Sequence, residues 1–272
     1  MLEVNLMAAI LSETEFDAND YDNLVIGVAT ETTHHDSTVH AHSKDQLAFA
    51  VKGCMSITLA QVKYVLPPMR AAWIPCGVEH RVEMSYVTHY RALYFDQSLQ
   101  LMLPRELMIV DVNPLLRELI ERMAFWPFDK PDQAQLNTLN LFIEEFNQAQ
   151  ESHLNLPLPQ DYRLKKWLET INHPDFIAPS LSHLSHQIGA SAKTITRIFT
   201  KETGMPYQSW RQQWRLLCGI ELLASEMRVN QVADRLGFSS DSAFIHFFRE
   251  QTGRSPLAYI TNNRSQQNEK TF

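Results

Sequence analysis

Between residues 23 and 96 the apolar positions fall in short or alternating runs, LVIGVAT, QLAFAVKG, MSITLAQ, AAWIP and HYRALYF, each closed by turn-forming residues. That pattern predicts the strands of a small barrel or sandwich. From Leu103 the spacing changes, and LLRELIERMAFW and LNTLNLFIEEFNQAQ place apolar residues three and four apart, which predicts two amphipathic helices. Their apolar stripes need a cover, either the β domain or a second copy of the chain. The long stripe at residues 136 to 146 tips the expectation toward dimerisation. The stretch HLNLPLPQD, residues 153 to 161, has two prolines and neither period, and reads as a linker.

Beyond the linker the text repeats itself. Residues 184 to 206 and 232 to 256 align on Gly204 and Gly253, which brings Ser191 onto Ser240, Ile195 onto Phe244 and Phe199 onto Phe248. Such an echo marks an internal duplication. In the first copy Ser180 is an N-cap, Leu181, Leu184 and Ile188 share one face, and Gly189 ends the helix. Ser191 then caps a second helix with Ile195, Ile198 and Phe199 inward, so that Lys193, Thr196, Arg197 and Thr200 point outward. The second copy uses Val232, Ala233 and Leu236, a stop at Gly237 and a cap at Ser240. There Phe244, Phe247 and Phe248 turn inward and Ser242, Ile245, His246 and Arg249 outward, with Asp241 at the helix start.

Two helix-turn-helix units predict a reader of DNA, because the second helix of each enters the major groove, where Lys and Arg suit guanine edges. Lys193 and Arg197 are the strongest base-reading candidates, and the second unit, with His246 in the place of Arg197 and Asp241 facing phosphate, is expected to bind less selectively. The intervening residues 206 to 225 carry Trp210, Trp214, Leu217 and Leu222 at helical spacing. A helix of that length is a rod of roughly 30 Å, close to the ~34 Å between successive major grooves on one face of DNA. Arg211 and Arg215 on this rod read equally well as phosphate contacts and as ordinary exposed residues.

Charge agrees once the chain is divided. The formal net charge is −7, yet from residue 160 onward 14 Lys and Arg face 10 Asp and Glu, leaving 10 against 21 in the preceding part. A basic DNA-facing half joined to an acidic half fits this asymmetry. With 272 residues the chain is long for one domain. No apolar run approaches a membrane span, and Glu3 stands where a signal peptide carries positive charge, so a cytoplasmic protein is expected. Cys54, Cys76 and Cys218 are scattered and read as packing residues in a reducing compartment.

Residues 161 to 262 resemble the DNA-binding domain of the AraC/XylS family of bacterial transcriptional regulators. The resemblance is carried by DYRL, by ASAKTITRIFTKETGMPYQSW and by QVADRLGFSSDSAFIHFFREQTGRSPLAYI. It implies seven helices, two helix-turn-helix units on a connecting helix, and regulation of transcription, most often activation through RNA polymerase. Lys193, Thr196, Arg197, Ser242 and His246 correspond to DNA-facing positions, although the family often has a basic residue where His246 stands.

In the N-terminal half, HAHSKDQLAFAVKG opens with a His-x-His pair that would share one face of a strand, and PCGVEH adds a turn and a third histidine. This is similar to the cupin barrel, a sensor domain common in AraC/XylS regulators. Gln46 stands where a metal-binding cupin usually has glutamate, and an amide is the poorer metal ligand. The favoured reading is a small organic effector held among His40, His42, Gln46 and His80. A metal sensor using His40, His42 and His80, with His34 and His35 nearby, comes second, and a catalytic cupin last. No cofactor is required on the first reading, and a divalent metal at the histidines is the alternative.

The expected fold is therefore α+β in two domains. Residues 1–155 form a cupin-like β-barrel with following helices, for effector binding and dimerisation, and residues 156–272 an all-α double helix-turn-helix domain. The expected function is a sequence-specific, effector-responsive activator reading two successive major grooves as a homodimer. Its expected partners are double-stranded DNA, RNA polymerase and a small-molecule or metal effector, with no membrane. The competing readings are a metal-sensing regulator and a cupin enzyme tethered to DNA.

Overall fold

A computed structural model describes residues 16–59, 62–84, 87–151, 155–171 and 176–260. The chain divides into two units, one holding Met1–Ile57 and Leu66–Leu154, the other Thr58–Val65 and Asn155–Phe272.

The first unit is built on an antiparallel sheet of β1 (Val25–Thr32), β8 (Thr88–Phe95), β3 (Asp45–Lys52), β6 (Arg70–Ile74) and β9 (Met108–Asp111), in that order. A second sheet sets β4 (Met55–Leu59), β7 (His80–Met84) and β2 (His35–Asp36) side by side. Side chains alternate between the faces of a strand, and here the two faces of the larger sheet do different work. One face, with Val25, Leu47, Phe49, Trp73, Leu93 and Phe95, is covered by helices α1 (Pro114–Ala124) and α2 (Asp132–Asn147). The other carries Ile26, Val28, Ala92 and Tyr94, against which Phe16, Tyr21, Tyr90 and Phe128 pack.

Helix α1 starts on an Asn113 side chain that accepts the Leu116 amide, followed by Pro114 at its first turn. It lies so close to β1 that a Cβ on Gly27 would stand 2.0 Å from the Met123 carbonyl oxygen. The α2 stripe is also consumed within the unit, because Leu139, Phe142, Ile143 and Phe146 are all buried in the same core, with Phe142 stacked on Phe95 at 5.2 Å. Of the two covers that the sequence leaves open for this stripe, these four side chains take the sheet, while Leu141 on the same helix is exposed.

Of the linker expected over residues 153 to 161, the described residues 155 to 161 are tied into the second unit, and residues 153 and 154 lie outside the described residues. Asn155–Pro157 is a strand, β10, that pairs antiparallel with β5 (Val62–Leu66), a pairing between distant segments that local periodicity cannot reveal. Trp210 donates its indole N–H to Pro157 at 2.7 Å, and the Gln160 and Asp161 amides donate to the Glu202 carboxylate at 2.8 and 3.0 Å.

The rest of the second unit is helical: α3 (Lys165–Leu168), α4 (Leu181–Ile188), α5 (Ala192–Thr203), α6 (Tyr207–Ala224), α7 (Val229–Arg235), α8 (Asp241–Thr252) and a further turn over residues 256–260. An aromatic core of Trp167, Phe199, Tyr207 and Trp210 holds the first helix pair on α6, with ring centroids 4.9 to 6.3 Å apart. Phe244 and Phe248 do the same for the second pair.

Candidate nucleic-acid interface and histidine site

The first helix-turn-helix is made by local chemistry. Ser180 accepts the His183 amide and starts α4, which ends at Gly189 with φ +66°, a left-handed conformation that glycine adopts without strain. The turn is locked by Ser185, whose hydroxyl donates to the Ala190 carbonyl at 2.6 Å. Ser191 then accepts the Thr194 amide and starts α5. With Ile195, Ile198 and Phe199 buried, Lys193, Arg197 and Thr200 stand exposed on the opposite face, as the spacing predicts. Thr196 is half-buried and its hydroxyl donates back to the Ala192 carbonyl at 2.9 Å, so it meets a partner mainly as an acceptor.

The second unit repeats the plan. Helix α7 closes at Gly237, φ +69°, and Ser240 accepts the Ala243 amide to start α8. Ser242, His246 and Arg249 are exposed. Two details differ from the sequence reading. Phe247 and Ile245 are both half-buried, since Phe247 leans on Phe238 at 5.2 Å instead of entering the core. Moreover, His246 lies 3.4 Å from Glu250 one turn on, which adds a second acidic side chain beside Asp241 to a face meant for phosphate.

Arg211 and Arg215 are not the ordinary exposed residues of one sequence reading. Both are half-buried: Arg211 donates its Nε–H to the Ala178 carbonyl at 2.8 Å, and Arg215 lies over the Phe238 ring at 4.7 Å while reaching the Gly237 carbonyl at 3.4 Å. These contacts fix the connecting helix to the segments before α4 and after α7. Gly219 was not anticipated at all; a Cβ there would meet Phe244 at 3.3 Å, so its lack of a side chain lets α8 approach α6.

In the other unit the three histidines do converge. One ring nitrogen from each of His40, His42 and His80 lies within 4.8 Å of the others. The His-x-His pair is not on a regular strand; His40 and His80 form an isolated bridge, exchanging backbone hydrogen bonds of 2.9 Å, and the His42 carbonyl accepts the Gly77 amide at 2.8 Å. The PCGVEH turn, with Gly77 at φ +73°, places His80 as the first residue of β7. His34 and His35 are outside the group.

Backbone carbonyls set the tautomers. His80 Nδ1 lies 2.9 Å from the Val78 oxygen and His40 Nδ1 3.2 Å from the Thr38 oxygen. A carbonyl only accepts, so both Nδ1 atoms carry the hydrogen and both Nε2 atoms present a lone pair. Nε2 of His42 and of His80 is buried with no protein partner. Burial first, then the neighbouring imidazoles of His40 and His80, pushes the His42 pKa down to about 4, and burial lowers that of His80 as well. The His42 and His80 rings are therefore neutral at physiological pH.

Gln46 is 2 % exposed, and its amide nitrogen donates to the Tyr90 and Tyr94 hydroxyls at 3.0 and 3.2 Å, leaving Oε1 buried without a partner. The two tyrosines belong to the site, as the 5.1 Å edge contact of His42 with Tyr94 shows, although the sequence reading passed over them. A signal was present: Tyr90 and Tyr94 sit four apart in an alternating strand, and the register Gln46↔Tyr94 puts them on one face with the glutamine.

A helix-turn-helix domain model matches residues 184–262. The transcriptional regulator NimR of Escherichia coli K12 is 28% identical over 225 residues, 82% of each chain. RipA of Corynebacterium glutamicum, also an HTH-type transcriptional regulator, is 32% identical over 106 residues, 39% of this chain and 31% of its own length. Among solved structures, the DNA-binding domain of AdpA in complex with a target DNA is 29% identical over 40% of this chain and 99% of that one, with TM-score 0.36. ToxT from Vibrio cholerae covers 88% of this chain and 98% of its own at 11% identity, with TM-score 0.36. The domain model and the two regulators agree with the duplicated helix pairs and their exposed reading faces: residues 184–262 form an AraC-type helix-turn-helix domain, and most of the chain is similar to an HTH-type transcriptional regulator.

Proposed function

We propose that the chain is a ligand-responsive transcriptional activator that reads two successive major grooves with α5 and α8, the first supplying most of the base specificity. The observation that carries this reading is the pair of Ser-capped, Gly-terminated helices on one connecting helix. Helix α6 has 18 residues. At 1.5 Å per residue it is about 27 Å long, short of the ~34 Å groove repeat by less than the thickness of the flanking helices. On α5, Lys193 and Arg197 are exposed donors that suit guanine edges, with Thr200 exposed on the same helix. On α8 the corresponding face offers Ser242, His246 and Arg249, tempered by Asp241 and Glu250.

The ligand that governs this binding acts on the first unit, at His40, His42, Gln46 and His80. Its effect requires different affinities for two arrangements of the protein, one competent to engage DNA and RNA polymerase and one not.

Selection of random duplexes by the full-length protein tests the proposal. Recovery of one conserved motif, with Arg197→Ala losing ~1–3 kcal/mol of discrimination at a guanine position and His246→Ala changing the motif little, supports it. Equal binding to all duplexes overturns it.

A further inference from the structure

We infer that Tyr162 and Arg163 are a further DNA contact of the first helix-turn-helix, holding the phosphate backbone that flanks the groove entered by α5. The inference rests on the reading of α5 given above and adds an anchor to it, because phosphate contacts fix the register of a protein on a duplex without reading its sequence. Both residues precede residues 184–262, the span matched by the helix-turn-helix model.

The two side chains stand on a short strap fastened to α5. Glu202, in the last turn of that helix, accepts the Gln160 and Asp161 amides on one carboxylate oxygen at 2.8 and 3.0 Å. Asp161 then starts a single 3-10 turn, Tyr162–Leu164, by accepting the Arg163 amide at 3.0 Å. Leu164 and Trp167 are buried, the latter against Phe199 of α5, so the turn has a fixed place beside that helix. It lies on the side of the reading residues. The hydrogen bonds from Arg163 first, and with them the positive charge of Arg197, hold the Asp161 carboxyl below its ordinary range.

What the strap shows to solvent suits a phosphate. Tyr162 is 81% exposed, with the Arg163 guanidinium 5.6 Å from its ring centre. Arg163 gives its Nε and one terminal nitrogen to the two Asp161 oxygens, at 2.8 and 2.7 Å. That fork fixes the guanidinium plane and leaves Nη1 with no hydrogen-bond partner among the described residues. A planar array of donors matches phosphate oxygens, and the tyrosine hydroxyl supplies one donor more.

The surrounding charge has the sign that a duplex requires. Of the acids here, Asp161 is bound to Arg163 and Glu202 to two backbone amides. Lys165 and Lys166 follow in exposed positions, and Lys201 is exposed on α5. Across residues 160–166 and α5, six Lys and Arg face two Asp and Glu, whereas α8 sets Arg249 against Asp241 and Glu250. DNA carries a negative charge for about every 1.7 Å of its axis. The first unit, with its strap, is the one that complements it.

Salt titration of the full-length protein on its selected duplex tests the contact. Arg163→Met removes one neutralising group, so the slope of log affinity against log salt should fall by ~0.9 and affinity by about tenfold, with the selected motif unchanged. Arg163→Lys loses the fork on Asp161 but keeps the charge, and should restore the wild-type slope. Tyr162→Phe alters no charge, so several-fold weaker binding at the wild-type slope is expected. Denaturant midpoints of tryptophan fluorescence are measured for each variant. A lowered midpoint with a wild-type slope in Arg163→Met means that Arg163 only holds Asp161, and overturns the contact. A slope lowered as much in Arg163→Lys as in Arg163→Met also overturns it, because charge would then not be the cause. Wild-type affinity in Tyr162→Phe strikes that residue from it. Base selectivity untouched by Arg197→Ala, with the slope still lowered in Arg163→Met, sinks the α5 reading and keeps the contact. No salt-dependent binding to any duplex sinks both.

Discussion

Replacing Arg211 by Met separates a scaffold arginine from a phosphate contact. The substitution keeps the aliphatic stem and removes the guanidinium that donates to the Ala178 carbonyl at 2.8 Å. Ala178 is 0% exposed, so water does not readily replace the lost donor. Hydrogen bonds involving a charged group contribute ~1.5–3 kcal/mol, and an orphaned buried carbonyl costs about 1–3 kcal/mol. The expected destabilisation of the second unit is therefore about 2 kcal/mol, roughly a thirtyfold loss in its folding equilibrium. Three of the five tryptophans, Trp167, Trp210 and Trp214, lie in that unit, which makes the denaturant midpoint of indole fluorescence a suitable assay. The same preparation, below its unfolding range, is titrated with duplex at several salt concentrations. If Arg211 is structural, the slope of log affinity against log salt is that of wild type; each lost phosphate contact lowers it by ~0.9. An unchanged midpoint together with a shallower slope would refute the assignment.

Two further predictions concern the first unit. Gly27→Ala forces a methyl group to within 2.0 Å of the Met123 carbonyl and 2.6 Å of the Ala124 Cα, both backbone atoms of α1 that cannot rotate away, so a loss of about 3 kcal/mol or more is expected in thermal unfolding. A wild-type melting curve would contradict the placement of α1 on β1. Asp36 accepts two hydrogen bonds from Arg81, which hold its carboxyl at about 2 against an ordinary 3.8. Its folded-state pKa is depressed, so the contribution of the pair is present above about pH 4 and is lost as pH falls through about 2. Carbon-detected NMR titration of Asp36 gives that midpoint, and the Arg81→Met variant should return it toward 3.8; equal midpoints in the two proteins would contradict the assigned cause.

What was legible in the sequence is what depends on neighbours along the chain. Ser180, Gly189, Ser191, Gly237 and Ser240 act within one helical turn, and all five do what their spacing predicts. The long strands β1, β3 and β8 announce themselves by apolar runs of comparable length. Short strands do not: β2 has two residues and β10 three, and each exists only because a distant segment supplies its partner. The α2 stripe was visible as an apolar face, yet periodicity identifies such a face without naming what covers it. Likewise the three histidines could be listed from the sequence, whereas the tautomers that give the cluster its character come from the Val78 and Thr38 carbonyls. Tyr90 and Tyr94 join them only through the register of β3 with β8.

The central claim is that α5 and α8 engage DNA together and unequally. Hydroxyl-radical footprinting of the full-length protein on its selected duplex measures this directly, with wild type beside the Arg197→Ala and His246→Ala variants. Two protected patches on one face of the duplex, centred ~10 base pairs apart, are predicted, with the α5 patch lost in Arg197→Ala and the α8 patch little changed in His246→Ala. A single patch in wild type, or loss of both patches in the His246 variant with the α5 patch untouched by the Arg197 substitution, would contradict the account.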